Sequence, residues 1–587
     1  MIALRVLLGV AILGAGPAWA AGLVGASRAL VLPPEAPYDL ENQTSLNEAE
    51  RARWLSLFGR YADLYVALGL GAVRVGAEPP DLFSWGSVEP EPNKHRLLVA
   101  DLFVEALVAR GIEPVLPLSA RAAWDHDAST RLPKDKGRYK DYVRMLVERY
   151  DGDTDFGVPP GEEYPDVTAD GSVSIADWGA TEAEKQAWAT AHRVTWWEVG
   201  DRGTPDAEVG PLVQLTRGVM REASDDVRLV VGGMTPSSKG VFLARVGSLD
   251  PSVAGELLVD AVSVEQDSPG AGLAALAVME DARESFLWLG QAGLGGVPVW
   301  LTVGAGAQGG AGPCGDPRCS ERTQAAQLVK LMVQALETVP VSVPGGFENR
   351  RFERVFLREP VEHGAGGIDG DWSGGGLLAL AEGDPATAPL LVRPAWATVA
   401  RLAPLLSDLG PDAIKRVLTF PDTATRRVYR IEAASGATVV AWYNWDLDLL
   451  DAPYDGRFLR VTVTGVDGEA VRVTGLYPTS IDQVTGGTTV AATLSEAVVG
   501  VTEGEVTIDV LEDAVLVEVV APPEPEDAGP VGVEDAGGGS DSGPVVDVAP
   551  EVERGGGGCG TRGGGPWGIG LVLWGIVRIG RWRWRSA

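Results

Sequence analysis

The sequence predicts an α/β chain: a (β/α)8 TIM barrel followed by an all-β sandwich domain, a disordered linker and a C-terminal hydrophobic tail. Three observations lead there. From Leu55 to Pro360, short apolar β-branched runs alternate with longer helical patterns, the written form of repeated β/α units. Over 411–521 the helical patterns stop, and alternating apolar runs sit between Gly and Asp turns. From 522 to 558, Pro, Gly, Asp and Glu dominate with scarcely an aromatic residue.

At 587 residues the chain is too long for a single core. Its apolar content of 45% and charged content of 22% are ordinary globular values. A net charge of −32 repels phosphate backbones, so nucleic acid is not an expected partner.

The first element, 1–20, reads as a secretory signal peptide. Arg5 precedes the apolar run Val6–Ala15, and Pro17-Ala18-Trp19-Ala20 supplies small residues at −3 and −1, so processing is expected after Ala20. A membrane anchor is the plainer alternative, but the run is shorter than the ~20 residues a span needs. The barrel is expected over 21–408, with strands at Ala72–Gly76, Leu82–Val88, Glu113–Leu118, Val194–Val199, Arg228–Gly232, Val259–Val264, Val297–Val303 and Glu353–Leu357. Eight strands are what a closed barrel of this kind requires. Between them, Ser320 to Thr338 places Ala325, Leu328, Val329, Met332, Val333 and Leu336 on one helical face. Thr181 and Glu184 form a capping box that opens another helix. A last helix is expected around Pro394–Leu405.

The sandwich, 409–521, draws its strands from Arg427–Ile431, Thr438–Tyr443, Phe458–Thr464, Val471–Leu476 and Val506–Val510. The acidic Pro/Gly-rich linker, 522–558, has too little apolar surface to offset the entropy of ordering. The final segment, 559–587, combines a lone Cys559 in a Gly patch, the apolar run Pro566–Val577, and Arg578, Arg581, Arg583 and Arg585. It resembles myxobacterial-type C-terminal sorting signals, which implies processing near Cys559 and export and sorting machinery as partners. A simple tail anchor in the cell-envelope membrane is the alternative. Both place the folded part outside the cytoplasm, at the cell surface or outer membrane. In an oxidising compartment Cys314 and Cys319 can close a small disulfide loop. A metal site built from those two cysteines has no nearby His to complete it.

Two segments carry the chemistry. Trp196-Trp197-Glu198-Val199-Gly200-Asp201-Arg202-Gly203 resembles the W-E-V-G/W-N-E-P segment of clan A glycoside hydrolases, and Pro298-Val299-Trp300-Leu301-Thr302-Val303-Gly304 resembles their P-V-W-L-T-E-x-G segment. With Leu70–Val75, Trp85–Pro90, Pro114–Ser119 and Val230–Gly233, the likeness runs over roughly 50–405 and is closest to the family-thirty-nine β-xylosidase and α-L-iduronidase group. The resemblance implies a sugar-cleaving barrel, with an acid/base where Arg202 stands and a nucleophile where Val303 stands. A retaining glycosidase needs two carboxyls about 5–5.5 Å apart. A guanidinium releases no proton near neutral pH, and valine has no lone pair. No shift of alignment helps, because Pro298 to Gly315 holds no Asp or Glu. The family's Asn beside the acid is Asp201 here, and its strand-six S-V-H reads Ser263-Val264-Glu265.

The expectation is therefore an exported protein with a degenerate glycoside hydrolase-like barrel, a pseudoenzyme that binds carbohydrate. The alternative is an active hydrolase of O-glycosyl bonds using relocated carboxylates from Asp201, Glu265 and Glu359. The plainer reading of those three is ion pairing with Arg202, Arg74 or Arg358. A third reading is a protein–protein adhesion module. Candidate sugar contacts are Arg74, Trp85, Trp124, Trp197, Trp300 and Trp372, with two of the five indoles expected to face the cleft. Separately, Asp166, Thr168, Asp170, Ser174 and Asp177 fall at the ligand positions of an EF-hand-like loop, with Gly171 at the turn, so Ca2+ is a candidate cofactor. A polar surface insertion explains the same residues equally well.

Overall fold

The computed structural model describes residues 23–27, 47–75, 82–92, 95–125, 131–154, 181–200, 204–235, 239–247, 249, 258–266, 275–304, 317–343, 346–358, 361–363, 376–380, 384, 386–407, 409–410, 412–417, 426–433, 436–443, 459–482, 490–510 and 513–521. The signal segment, the linker, the tail with Cys559, Cys314 and the loop at 166–177 lie outside them.

A closed parallel barrel forms the first part. Its strands are β1 (Val24–Ser27), β2 (Ala72–Arg74), β3 (Glu113–Leu118), β4 (Trp196–Val199), β5 (Arg228–Met234), β6 (Ala261–Gln266), β7 (Val299–Val303) and, after an antiparallel hairpin of β8 (Val339–Val343) and β9 (Gly346–Arg350), β10 (Arg354–Arg358). The ring runs β1-β10-β7-β6-β5-β4-β3-β2. Helices α1 (Glu48–Ala67), α2 (Trp85–Val88), α3 (Leu98–Val108), α4 (Lys136–Tyr150), α5 (Glu182–Ala191), α6 (Asp206–Ala223), α7 (Lys239–Gly247), α8 (Ala275–Gln291), α9 (Pro317–Leu336) and α10 (Pro394–Leu406) follow the strands. Alternation along each strand separates two apolar layers. Ala72, Val115, Val230, Ala261, Trp300 and Phe356 pack together, with Trp196 against them, inside the barrel. Their neighbours Val73, Leu116, Trp197, Leu229, Val262, Leu301, Val303 and Leu357 belong to the core shared with the helices.

The expected capping box is present: Glu184 N–H donates to Thr181 Oγ1 at 3.3 Å, and Thr181 N–H donates to Glu184 Oε2 at 2.8 Å. The helices expected at 320–338 and 394–405 are α9 and α10. Two strand assignments need correction. The run Leu82–Val88 is not a strand; it contains α2, whose Trp85 indole donates to Glu89 Oε2 at 2.6 Å. The true eighth strand is β1, only four residues long and made of Val-Gly-Ala-Ser. Its Gly25 is demanded by space, since a Cβ there would lie 2.7 Å from Ala72 O and 2.8 Å from the Phe356 ring. Small residues leave no hydrophobic signature, and so this strand was invisible to periodicity.

After the barrel come a three-stranded sheet (Val361–His363, Leu378–Leu380 and Leu390–Val392) and then the all-β part. There a six-stranded antiparallel sheet runs in the order Ile414–Arg416, Arg426–Ala433, Gly436–Tyr443, Val515–Val520, Ala470–Ile481, Ala492–Gly500. Its Val428, Val439, Ala441, Val471, Val515 and Val517 pack against Val461, Val463, Val506, Ile508 and Val510 of a second layer, the pair Leu459–Thr464 and Glu505–Val510. The opposite face supplies Tyr429, Ile431, Val440, Trp442, Leu476 and Leu516 to the barrel's own core. Thr398 of α10 donates to Leu476 O at 2.7 Å, and the ion pairs Arg322–Asp513 and Arg401–Glu518 span the same junction. No described helix is long and apolar enough to cross a membrane.

Candidate functional site

Active sites of this architecture gather where the strands' carboxyl ends meet. Period-two alternation puts Arg74 of β2, Glu198 of β4, Glu265 of β6 and Thr302 of β7 in register above the inner apolar layer, two residues beyond Ala72, Trp196, Ser263 and Trp300. These four side chains meet at the guanidinium. Glu198 takes both Arg74 Nε and Nη2 in a two-pronged ion pair. Arg74 Nη2 also donates to Glu265 Oε1 at 2.8 Å, and Nη1 donates to Thr302 Oγ1 at 2.8 Å. Four of the five guanidinium N–H groups are thus engaged.

All members are well covered: side-chain exposure is 6% for Arg74, 7% for Glu198 and 13% for Glu265. Burial alone would lower the Arg74 pKa; the charges and hydrogen bonds of Glu198 and Glu265 outweigh it and raise the value above arginine's ordinary range. Arg74 is therefore a fixed cation. A carboxylate lying against a fixed cation is favoured as the anion, the form that accepts protons rather than donates them. That suits neither the proton donor of a glycosidase nor an unencumbered attacking oxygen.

Space for the cluster comes from Gly232. A Cβ there would lie 1.6 Å from Glu198 Oε1 and 2.7 Å from Gly200 O. Gly232→Ala is expected to destabilise by about 2 kcal/mol, because an added atom in a filled interior shifts side chain and backbone together. Urea unfolding followed by circular dichroism checks this, and a change within ~0.5 kcal/mol would mean that Glu198 moves freely.

The sequence-predicted residues divide as follows. Glu265 is ion-paired with Arg74, as the plainer reading held. Val303 is buried at 1% and packs in the outer core, so the barrel-facing side chain at the end of β7 is Thr302. Asp201, Arg202, Glu359 and Trp372 lie outside the described residues, as do Asp166, Thr168, Asp170, Ser174 and Asp177; for Cys319, only the backbone, within α9, is described. Arg358 ends β10, half-buried. Among the described residues, no group of three or more His, Cys, Asp or Glu is placed to hold a metal ion.

Three of the five candidate indoles lie in the core. Trp85 is fully buried, edge-on to Trp124 at 4.8 Å and near Tyr139 at 5.8 Å and Tyr142 at 6.1 Å. Trp197 points outward, with its ring 6.3 Å from that of Tyr150. Trp300 fills the barrel interior with Trp196 at 4.7 Å and Phe356 at 5.5 Å. None of the three presents a face to a cleft, because a large indole, on the barrel strands as in α2, is the readiest filler of apolar space. Trp124 is half-buried; its indole donates to Glu89 O at 2.7 Å, and Arg138 sits 5.7 Å from its ring centroid.

Sequence reasoning passed over Glu198 and Thr302 as site residues. The signal was available in the alternation Trp196/Glu198 and Trp300/Thr302, which puts both polar groups on the same side as the inner apolar layer.

No family model matches the sequence. No curated protein is similar to it either. Among solved structures, the chain is similar to a monomeric beta-xylosidase from Caulobacter crescentus CB15, with 14% identity over 81% of this chain and 94% of that one and a TM-score of 0.42. It is similar to the GH39 enzyme from Xanthomonas axonopodis pv. citri, with 13% identity over 85% and 93% and a TM-score of 0.46. It is also similar to a family 51 alpha-L-arabinofuranosidase from Bifidobacterium longum, with 11% identity over 85% and 96% and a TM-score of 0.47. The barrel and the sheets behind it are read from their own strand order, and on that ground the chain has the TIM-barrel-plus-sandwich architecture.

Proposed function

We propose that this chain is an exported surface protein whose glycoside hydrolase-like barrel binds carbohydrate without cleaving it. The observation that carries the reading is the Arg74 cluster: the two inward carboxylates described at the strand ends are both committed to one buried guanidinium. Arg202, at the place the resemblance assigns to the acid/base, supports it from the sequence side, and the barrel-facing side chain at the end of β7, Thr302, carries no carboxylate. The signal-peptide pattern at 1–20 and the tail around Cys559 support display outside the cytoplasm.

The test uses the purified chain on a glycan array and against aryl glycosides and plant or bacterial polysaccharides. Saccharide binding with turnover no faster than buffer is the expected result. Turnover that disappears in Glu265→Gln would establish an active hydrolase with relocated carboxylates. Absence of any saccharide binding would remove the carbohydrate reading and leave the adhesion module.

A further inference from the structure

One side of the six-stranded sheet ends at Ala492–Gly500, which among the described residues pairs only with Ala470–Ile481. Every residue of this edge strand except Leu494 and Val499 is exposed, and Val498 is 55% exposed. Pairing is regular from Ala470↔Gly500 to Thr474↔Glu496, and the register shifts only beyond it, towards Pro478. Between Leu494 and Gly500 there is no Pro and no Lys, and Glu496 is the only charge. Natural edges are shielded by such residues, by bulges or by shortness; here the regularly paired stretch 496–500 runs about 17 Å at ~3.4 Å per residue, and among the described residues no strand pairs with its outer side.

We propose that two copies of the chain pair through this strand, antiparallel about a two-fold axis at Ala497, and so join two six-stranded sheets into one. The charges select this partner and this axis. An axis at Glu496 would set two carboxylates directly opposite, which destabilises a sheet. An axis at Ala497 sets Glu496 opposite the partner's Val498, Ser495 opposite the partner's Val499, and Leu494 opposite the partner's Gly500. Within one copy, Val498 faces Arg472 across the strand pair. Each row of the joined sheet therefore reads Thr474, Glu496, the partner's Val498, the partner's Arg472. Glu496 and the partner's Arg472 are two strand spacings apart, about 10 Å between backbones, a gap that two long side chains on one face bridge over the valine. Both are exposed in the single copy, at 55% and 44%, and lie 3.8 Å apart there. The contact is isologous and closes on itself.

Sedimentation equilibrium of the full chain tests the proposal over about 1 to 100 μM, the range suited to a small interface. The mass should rise from one chain to two. Val498→Lys should weaken association at least tenfold, and so should Arg472→Glu, whereas Arg472→Glu combined with Glu496→Arg should restore it. Amide exchange over 492–500 should slow as concentration rises. At about 1 μM, where the chain is single, thermal melts read by circular dichroism should stay unchanged, because these positions are exposed. A single-chain mass throughout, or association indifferent to Val498→Lys, overturns the proposal. A chain that stays single and takes up only an added lysine-rich extended peptide overturns it in favour of a peptide-binding edge.

Discussion

Arg74→Met is expected to destabilise the barrel by about 3–5 kcal/mol, the range for removing one partner of a buried ion pair. The substitution keeps most of the side chain's apolar length, so the loss comes from charge rather than from a cavity. Glu198 and Glu265, with side chains 7% and 13% exposed, would lose the cation that both contact, with the Glu198 carboxylate held close against Gly232. In the natural chain Arg74 has its pKa raised beyond the working range, so its stabilising charge is present at every pH of interest. Urea unfolding measures the effect, and a loss below ~1 kcal/mol would mean that the cluster is solvated and does not organise the site.

Val303→Glu is expected to destabilise by more than about 3 kcal/mol and to produce no glycoside turnover. Reasoning from the motif alone, this change rebuilds the nucleophile. The alternation of β7 says otherwise. Thr302 turns inward to Arg74, and Val303 turns outward among Leu301, Val299 and Leu357 beneath the helices. A carboxylate placed there meets apolar packing, and burying it unpaired is among the few single changes that routinely unfold a domain. Differential scanning calorimetry together with an aryl-glycoside assay on the soluble fraction decides the matter. A folded variant that cleaves substrate would show that the strand end re-registers and that the pocket is latent rather than lost.

The two substitutions probe opposite faces of the same strand ends. The inner face is organised by one cation shared between two acids, and the outer face by branched aliphatic packing. Ligand recognition in such a site falls to groups above the cluster, since Arg74 has one N–H left to offer.

By itself the sequence determined the architecture. Branched apolar runs at strand length and helical stripes between them can bury their surface only as layered β/α units, and the switch to alternating runs after 411 demands a second, all-β body. It also placed Arg202 where the resemblance implies an acid/base, because a residue's identity needs no coordinates. Tertiary structure alone decided which side of each strand faces the hole at which height, and so which distant residues meet. Arg74 and Glu198 stand 124 positions apart, and Glu265 a further 67. No local pattern records that they share a guanidinium, because their contact exists only once the ring has closed. The four-residue Val24–Ser27 strand belongs to the same class: its place is set by the pairing of β2 and β10 on either side and by the Phe356 ring over Gly25, not by any preference of its own.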